Sequence, residues 1–499
     1  MKFLWSIVVL LLLLFGATYA LLFTKPGNDL LKPLIESKIA ANVPLPTKLE
    51  RFTLRPNRFD MALKIGKDSL IEAKGTMNLF SQSVDGNYRV QIQELSNLQK
   101  LIGQKLNGPF HTQGTIEGNK MVMHIDGSSD IAGSSTEYHL ALREFRPENL
   151  VATIEHMQID KLLHMVNQPI YAKGIVNIEA KIPRMDIKNL KGNIVTAIRK
   201  GRVHPAPIKR DFNLSIPSNL TFAADIKTRL AQTKAISDTN LRTSIAKLLA
   251  KTLTYDIAKG SLATDYILNI PNLDRLYFLT GQHMKGAMKI TGDVKSSKDH
   301  ILATAHSDTL GGAFDALYKN GKADIKIKNI QTVALTDMLL YPHIFDSRAN
   351  AKITYDTLRK KGTMHAELLD GQILPNKMSF LLKQMANFDI TKEIYERTTI
   401  DTDIDDKRLT SDLYMKSRLT EITSKQGVID LEEKRIDTTL NIKIRKMWIP
   451  VQLAGELTKP NIKIDTQGLM KSKAKEEIKK RLPGKLKNSP VGDLIKNLF

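Results

Sequence analysis

The chain has 499 residues and carries 74 Lys and Arg against 52 Asp and Glu, which gives a formal net charge of +22. An apolar fraction of 42% and a charged fraction of 25% are typical of a folded chain and exclude wholesale disorder. The absence of cysteine excludes disulfide cross-links, thiolate metal ligands and a cysteine nucleophile. The length allows about three ordinary domains or one elongated, repetitive body.

The N-terminus contains an apolar stretch, from Phe3 to Phe23, without any charged residue. At about 1.5 Å per residue, this stretch can cross a hydrocarbon core of about 30 Å as a helix. We therefore expect residues 1–24 to be an uncleaved, single-pass transmembrane anchor. A cleaved signal peptide is the alternative, because Thr18-Tyr19-Ala20 fits a cleavage site. Both interpretations place the bulk of the chain outside the cytoplasm, and nucleic acid is then not an expected partner.

Alternation of apolar and polar residues recurs along the chain and predicts strands with one apolar and one solvated face. The clearest run is residues 324–330, where isoleucines alternate with polar residues. The same pattern recurs in residues 88–92, 121–125, 175–182, 368–373, 440–445 and 462–465. Asp85-Gly86-Asn87 and Glu117-Gly118-Asn119 predict hairpin turns. We expect a mainly β fold with short helices.

Helical periodicity is scarcer. Residues 28–41 predict a short amphipathic helix after the anchor, with Leu30, Leu31, Leu34, Ile35 and Ile39 on one side. Residues 226–257 contain a candidate long helix, which would be an insertion in a body that spans residues 25–465. Its apolar face would be formed by Leu241, Ile245, Leu248 and Leu249.

A weak internal repeat consists of a leucine-bearing segment followed, about ten positions later, by a small residue that opens a strand. The four copies pair Leu98 with Gly108, Leu163 with Gly174, Leu276 with Gly286, and Leu339 with Ala349. Any β-rich chain can produce such matches by chance. If the repeat is structural, each unit is a helical turn that packs on the sheet, and the units stack into a long body.

The sequence offers little catalytic chemistry. The histidines show no metal-ligand spacing, and neither a nucleophile elbow nor a phosphate-binding glycine motif occurs. The acidic residues Asp401, Asp403, Asp405 and Asp406 lack the glycine and closing glutamate of a calcium loop, so we interpret them as a solvated strand face. We expect a protein that is not an enzyme and that needs no cofactor, although residues assembled in space could still form an active site.

The C-terminal segment, residues 466–499, is strongly basic. Met470, Ala474, Ile478 and Leu482 recur every fourth position and give one apolar stripe, which is typical of an amphipathic helix. Basic amphipathic helices lie on anionic membranes, and Lys479, Lys480 and Arg481 are the candidate membrane contacts. The alternative is a solvated helix that caps the end of the sheet.

Several patches, in order, carry a family resemblance. Near the N-terminus these are residues 30–36 and 49–54. Near the C-terminus two strand-like runs precede Ile449-Pro450-Val451, a Gly-x-Leu at Gly455 and Lys459-Pro460 before a last strand. This order resembles that of the AsmA-like proteins of Gram-negative bacteria, and the internal repeats resemble the family's internal units. The candidate helix at residues 226–257 departs from the pattern.

The resemblance implies a periplasmic protein anchored in the inner membrane, with an elongated, curled antiparallel sheet that forms an apolar groove. Related eukaryotic bridge-like proteins carry lipid acyl chains in such a groove. On this hypothesis the protein transfers phospholipid toward the outer membrane, and its partners are phospholipid, the inner membrane and outer-membrane or envelope proteins. The candidate groove residues are Ile325, Ile327, Ile330, Ile442 and Ile444. A non-transport assembly factor for the outer membrane, with a closed apolar face, and an exported enzyme are the alternatives.

Overall fold

The computed structural model describes residues 18, 19, 21–78 and 80–464. The chain divides into two compact units, and the boundary lies between Thr264 and Asp265. Most of the predicted anchor and the whole predicted tail, including Lys479, Lys480 and Arg481, lie outside the described residues. Within the described part of the chain, no helix is both long and apolar enough to cross a membrane.

The described part of unit 1 contains the 18-residue helix α1, followed by strands joined by hairpins and short helices. Its elements are α1 Lys25–Asn42, β1 Thr47–Arg55, β2 Arg58–Ile65, β3 Ser69–Asn78, β4 Ser83–Ile92, α2 Gln99–Ile102, β5 Phe110–Asn119, β6 Val122–Ser129, β7 Ser135–Arg143, β8 Arg146–Gln158, α3 Ile159–Met165, β9 Ala172–Arg184, β10 Lys191–Val203, α4 Pro205–Phe212, β11 Thr221–Ala231, β12 Lys234–Thr243, β13 Lys247–Asp256 and β14 Ser261–Ile270, which contains the unit boundary.

Unit 2 repeats this arrangement without a long first helix. Its elements are α5 Tyr277–Thr280, β15 Met288–Ser297, β16 His300–Ser307, β17 Ala313–Lys319, β18 Lys322–Gln331, α6 Thr332–Met338, β19 Phe345–Asp356, β20 Lys361–Ile373, α7 Lys377–Ala386, β21 Ile394–Asp405, β22 Arg408–Lys416, β23 Thr420–Asp430, β24 Arg435–Ile444, β25 Met447–Glu456 and β26 Asn461–Ile464. The predicted mainly β fold with short helices is confirmed.

The strands follow one another as an antiparallel meander. Each strand from β1 to β12 pairs with the next in sequence. Each strand from β15 to β25 does the same. Over the described residues the sheet is antiparallel and does not close. Because neighbouring strands run in opposite directions, their connections alternate between the two ends of the strands. The short helices α2 to α7 all lie at one end, together with some tight turns such as that between β12 and β13, and the described connections at the other end contain no α-helix.

Helix α1 confirms the amphipathic helix predicted at residues 28–41, and it begins three residues earlier. Its attachment to the sheet depends on Asn28, whose Oδ1 accepts from the Leu54 backbone N at 2.7 Å and whose Nδ2 donates to the Leu54 carbonyl at 2.9 Å. Leu31, Ile35 and Ile39 are half-buried on this side, whereas Leu30 and Leu34 are exposed. The buried stripe is therefore narrower than the predicted apolar face.

Each unit has one cluster of buried side chains near the helix-bearing ends of its strands. The unit 1 core consists of Ile65, Ile92, Leu95, Leu98, Ala132, Met157, Met165 and Val176. The unit 2 core consists of Ile373, Leu382, Ile390, Tyr395, Met415, Ile422, Leu440, Ile442, Ile444, Ile449 and Val451. Helix α7 contributes Leu382 to the unit 2 core. It starts with a capping box, in which Asn376 Oδ1 accepts from Ser379 N at 3.0 Å and Ser379 Oγ accepts from Asn376 N at 2.9 Å.

The long helix predicted over residues 226–257 is wrong, because this segment forms most of β11 and all of β12 and β13. A separation of seven residues fits two helical turns, but it also fits a hairpin that bends at its middle. Here Leu241 pairs with Leu248 across the β12–β13 hairpin. Thr243 Oγ1 holds the bend by accepting from the backbone N of Ala246 at 2.8 Å. The segment is therefore part of the sheet and not a helical insertion.

The turn predicted at Asp85-Gly86-Asn87 is also wrong, since these residues lie inside β4. Gly86 pairs with Gly75 of β3, and a side chain at Gly86 would press against the ring of Phe59 and the Lys74 carbonyl. The glycines here allow an aromatic ring to lie close to the backbone. The turn predicted at Glu117-Gly118-Asn119 comes at the end of β5 and leads into the β5–β6 hairpin, as expected.

The positions of the predicted repeat fall on features that the two units share. Features of unit 1 recur ten strands later in unit 2. Gly108 and Gly286 both have positive φ, and their carbonyls accept from Leu95 N and Leu273 N, each at 2.9 Å. Likewise, Asn177 Oδ1 accepts from the backbone N of His156 at 2.8 Å, and Asn350 Oδ1 accepts from that of Asn329 at 2.9 Å. The four predicted copies are thus two pairs of positions in one duplicated assembly of strands and short helices.

We expect Leu382→Ala to lower the free energy of unfolding of unit 2 by about 2–5 kcal/mol, because it leaves a cavity beneath α7 in a fully buried site. Phe380→Ala is the matched control on the same helix. Phe380 is exposed, so its truncation should change stability by only about 0.5 kcal/mol. Urea unfolding followed by circular dichroism measures both, and equal losses would show that α7 does not close this core.

Candidate functional site

The candidate site is one face of the sheet in unit 2. The register aligns Ala316, Ile325 and Ile353 in one row across β17, β18 and β19. Phe314, Ile327 and Ala351 form the row beside it. We call the following set the unit 2 apolar face: Phe314, Ala316, Tyr318, Ala323, Ile325, Ile327, Ala351, Ile353, Tyr355, Met364, Ile404 and Leu409.

The side chains of the unit 2 apolar face are half-buried. They are neither packed into the unit 2 core nor fully exposed to water. Among the described residues, the core clusters lie near the helix-bearing ends of the strands, whereas this face extends toward the hairpins. Alanines at positions 316, 323 and 351 lie among larger apolar residues, which leaves room above the backbone at those positions. The face therefore offers apolar surface that the protein itself only partly covers.

The opposite face of the same strands is charged. Asp315, Lys326, Lys352, His365, Asp401 and Asp412 align across β17 to β22. His365 Nδ1 lies 2.6 Å from an Asp401 carboxylate oxygen, and this hydrogen bond raises the pKa of His365. The acidic cluster over residues 401–406 is exposed, as predicted, and its members pair with neighbours such as Lys361. The two faces thus differ sharply in polarity.

The structure separates the five predicted groove residues. Ile325 and Ile327 belong to the unit 2 apolar face. Ile330 is buried at the end of β18, next to the start of α6. Ile442 and Ile444 are wrong as open-groove residues, because both are core residues with 0% and 3% exposure. Alternation correctly placed them on the apolar side of their strand, but it carries no information on what packs over that side.

Sequence reasoning missed most of the unit 2 apolar face, because β17 and β19 show a weaker alternation than β18. One signal could have found β17. Asn320-Gly321, between β17 and β18, is the strongest short-range hairpin pair, and it fixes which residues of β17 lie beside the isoleucines of β18.

In unit 1 the corresponding face carries a hydroxyl chain. Tyr88 and Tyr138 lie three strands apart, and their hydroxyl oxygens are 2.5 Å from each other. Tyr138 is also 2.6 Å from Thr112 Oγ1, which donates to the Ser128 carbonyl. Since Thr112 uses its proton on Ser128, it accepts from Tyr138, and Tyr138 then accepts from Tyr88. The chain of donors therefore runs from Tyr88 through Tyr138 to Thr112.

Glycines make this tyrosine bridge possible. Gly114 and Gly127 lie between Tyr88 and Tyr138 in the register. A Cβ at Gly127 would collide with the hydroxyls of both tyrosines. Ten strands later Tyr266 takes the place of Tyr88, but Ala316 stands where Tyr138 does. The two units therefore share a backbone plan and differ in what occupies the apolar face.

The unit 2 apolar face consists of aliphatic and aromatic side chains and one methionine. Over the described residues, no group of His, Asp and Glu is placed to hold a metal ion. Comparison of the chain with models of known families and with curated proteins finds no match in either.

We expect Tyr138→Phe to destabilise unit 1 by about 1–3 kcal/mol, because it removes the central hydroxyl of the chain and leaves that of Tyr88 without its acceptor. Tyr255→Phe, at an exposed tyrosine of the same unit, should change stability by about 0.5 kcal/mol or less. Chemical denaturation of both variants measures the difference, and a Tyr138 effect as small as the control would contradict the bridge.

The bridge also predicts a pH dependence. Burial, and then the hydrogen bond with Tyr138, raise the pKa of Tyr88 above its ordinary value of 10.0. The folded state therefore favours the neutral phenol, and its stabilising effect is complete below pH 10 and is lost as the pH rises further. The unfolding free energy of the wild type should fall more steeply above pH 10 than that of Tyr88→Phe. Parallel slopes for the two proteins would contradict this.

Proposed function

We propose that this protein handles lipid: it holds acyl chains of phospholipid along the unit 2 apolar face. The observation that carries the proposal is the half-buried state of Ile325, Ile327 and their neighbours, opposite a face lined with charge. A sheet with one apolar face normally covers it with its own side chains. A face that is left partly uncovered is suited to an apolar ligand that completes it.

Elementary energetics support a lipid. Each CH₂ group removed from water contributes roughly 0.8 kcal/mol, so an acyl chain gains substantial free energy without a specific recognition site. A phosphate headgroup can stay in water beside basic residues, of which the chain has a surplus. An apolar surface with few polar groups fits a ligand class that varies in chain length and saturation.

The AsmA resemblance suggests where this takes place. On that hypothesis residues 1–24 anchor the protein in the inner membrane, and the rest lies in the periplasm, where it leads phospholipid toward the outer membrane. The antiparallel, unclosed sheet and the duplicated strand pattern are compatible with a curled, elongated groove of this family. We propose no catalytic activity and no cofactor.

One observation favours the second candidate, an assembly factor that carries no lipid. The apolar side of β24 and β25 is filled by the unit 2 core, where Ile442, Ile449 and Val451 are fully buried. If the whole apolar face were closed in this manner under native conditions, transport along it would be impossible. The lipid content of the protein separates the two functions.

The test places a bulky side chain on the candidate face. Ala316→Trp should fill the space beside Ile325 and reduce the phospholipid that co-purifies with the full chain by about fivefold or more. Leu317→Trp is the matched control, because Leu317 is the next residue of β17 and points to the opposite face. Lipid extracted from both proteins is quantified by mass spectrometry.

Both variants carry the same N-terminal segment, so lipid that adheres to that segment cancels in the comparison. Equal amounts of phospholipid in the two folded variants would contradict the assignment of the unit 2 apolar face as the lipid-binding surface. Absence of bound phospholipid from the wild type, after gentle extraction, would favour the assembly factor.

A further inference from the structure

Four successive hairpin tips of unit 1 present a bulky apolar side chain to solvent. The tips join β3 to β4, β5 to β6, β7 to β8 and β9 to β10. Phe80 is fully exposed, and Met121, Phe145 and Ile187 are 56%, 59% and 60% exposed. All four tips lie at the hairpin end of the meander, away from α2 and α3, because alternate connections of an antiparallel sheet share one end. We call these four residues, with the basic residues beside them, the tip edge.

The turns hold these side chains outward by specific hydrogen bonds. Asn78 Oδ1 accepts from the backbone N of Phe80 at 3.0 Å, and Asn119 Oδ1 accepts from that of Met121 at 2.9 Å. At the fourth tip, Asp186 Oδ1 accepts from the backbone N of Lys188 at 3.2 Å and so closes the turn around Ile187. At these three tips the apolar residue is thus displayed by an ordered turn that an Asn or Asp side chain builds.

The third tip is strained. Glu144 and Phe145 both have positive φ, at +50° and +62°, as a type I′ turn requires. Positive φ is unfavourable for a bulky aromatic residue. The equivalent hairpin of unit 2 makes the same turn with Asn320 and Gly321, the residues that this turn favours. The fold therefore does not need a phenylalanine here, and a strained, exposed aromatic residue points to a use outside the fold.

Comparison with the equivalent hairpin of unit 2 shows that the fold does not require an apolar residue at the second tip either. Lys120 and Met121 of the β5–β6 hairpin correspond to Lys298 and Asp299 of the β15–β16 hairpin, where the turn is wholly polar. Since a polar residue builds that hairpin equally well, the exposed methionine of unit 1 is not a folding requirement.

Basic residues accompany the apolar tips. Lys120 precedes Met121, Arg146 follows Phe145, and Lys188 follows Ile187, and all three are exposed. Arg143 also lies at the third tip and pairs with Glu148 at 2.8 Å. Three of the four apolar side chains therefore have a basic neighbour, although Glu144 and Asp186 precede Phe145 and Ile187. An apolar side chain beside a cation matches an anionic bilayer surface, where apolar groups enter the interface and cations remain among the headgroups.

We propose that the tip edge of unit 1 docks on the surface of an anionic lipid bilayer. Successive tips are two strands apart, or about 10 Å. This spacing leaves polar backbone and charged side chains between the apolar residues, whereas the centre of a protein interface is a contiguous apolar patch. Several shallow, separate insertions suit a bilayer better than a protein partner. This proposal concerns a surface other than the unit 2 apolar face and holds whether or not that face carries lipid.

The test uses the natural absence of cysteine, which lets a single introduced thiol be labelled alone. Met121→Cys carries an environment-sensitive fluorophore, and Asp299→Cys, at the equivalent hairpin of unit 2, is the matched control. The full chain is held in phosphatidylcholine nanodiscs, which accommodate its N-terminal segment. Vesicles of phosphatidylcholine with about one third phosphatidylglycerol, or of phosphatidylcholine alone, are then added.

With anionic vesicles, we expect a blue-shifted and brighter emission from the label at position 121 and no change at position 299. The response should weaken as salt is added, because the basic residues are screened. The combined variant Phe80→Ser, Phe145→Gly, read from the label at position 121, should require about tenfold more lipid for half of the response. Phe145→Gly also relieves the strained turn, so the variant should remain folded.

Three outcomes would overturn the proposal. The label at position 121 could fail to respond to anionic vesicles. The label could respond equally in the Phe80→Ser, Phe145→Gly variant and in the protein with unaltered tips. It could also change with protein concentration in the absence of vesicles, which would show that the tip edge contacts a second copy of this chain.

Discussion

The need to cover one apolar face of a long antiparallel meander is the constraint on which the rest of this structure depends. Alternation gives every strand an apolar side, and a sheet that does not close cannot bury that side against itself. The protein meets the need locally. Short helices at one end of the strands, such as α3 and α7, bring Met165 and Leu382 onto the sheet and form two buried cores. Farther along the strands of unit 2 this covering is incomplete, and a candidate binding surface results.

The duplicated plan shows which features belong to the fold and which do not. Features present in both units, such as the positive φ of Gly108 and Gly286, serve the backbone. Features found in only one of the two units are not required by the backbone. Tyr138 bridges the apolar face of unit 1, whereas unit 2 has Ala316 there, so this position carries a large side chain in one unit and a small one in the other. The contrast between Phe145 and Gly321 at equivalent hairpins follows the same logic.

Sequence patterns predicted the strands well because period-two alternation is a direct consequence of backbone geometry. They failed where one spacing fits two structures: Leu241 and Leu248 fit a helix face and a hairpin pair equally. Gly86 was mistaken for a turn because a glycine that admits an aromatic ring looks the same in sequence as one that bends the chain. The sequence predicted only part of the candidate site. Ile325 and Ile442 have the same alternating surroundings, and only the packing of α7 and β25 makes one half-exposed and the other buried.

The meander also separates two kinds of surface by geometry alone. Side chains within strands point to a face, and their neighbours along the sheet extend that face from strand to strand. Residues at hairpin tips belong to neither face and instead form an edge. An apolar residue within a strand, such as Ile327, therefore contributes to a continuous surface that suits a long flexible chain. An apolar residue at a tip, such as Phe80, stands alone among polar neighbours and suits shallow contact with a bilayer. One sheet can thus bind an apolar chain on its face and contact a membrane with its edge. The two surfaces use different residues, so neither restricts the other.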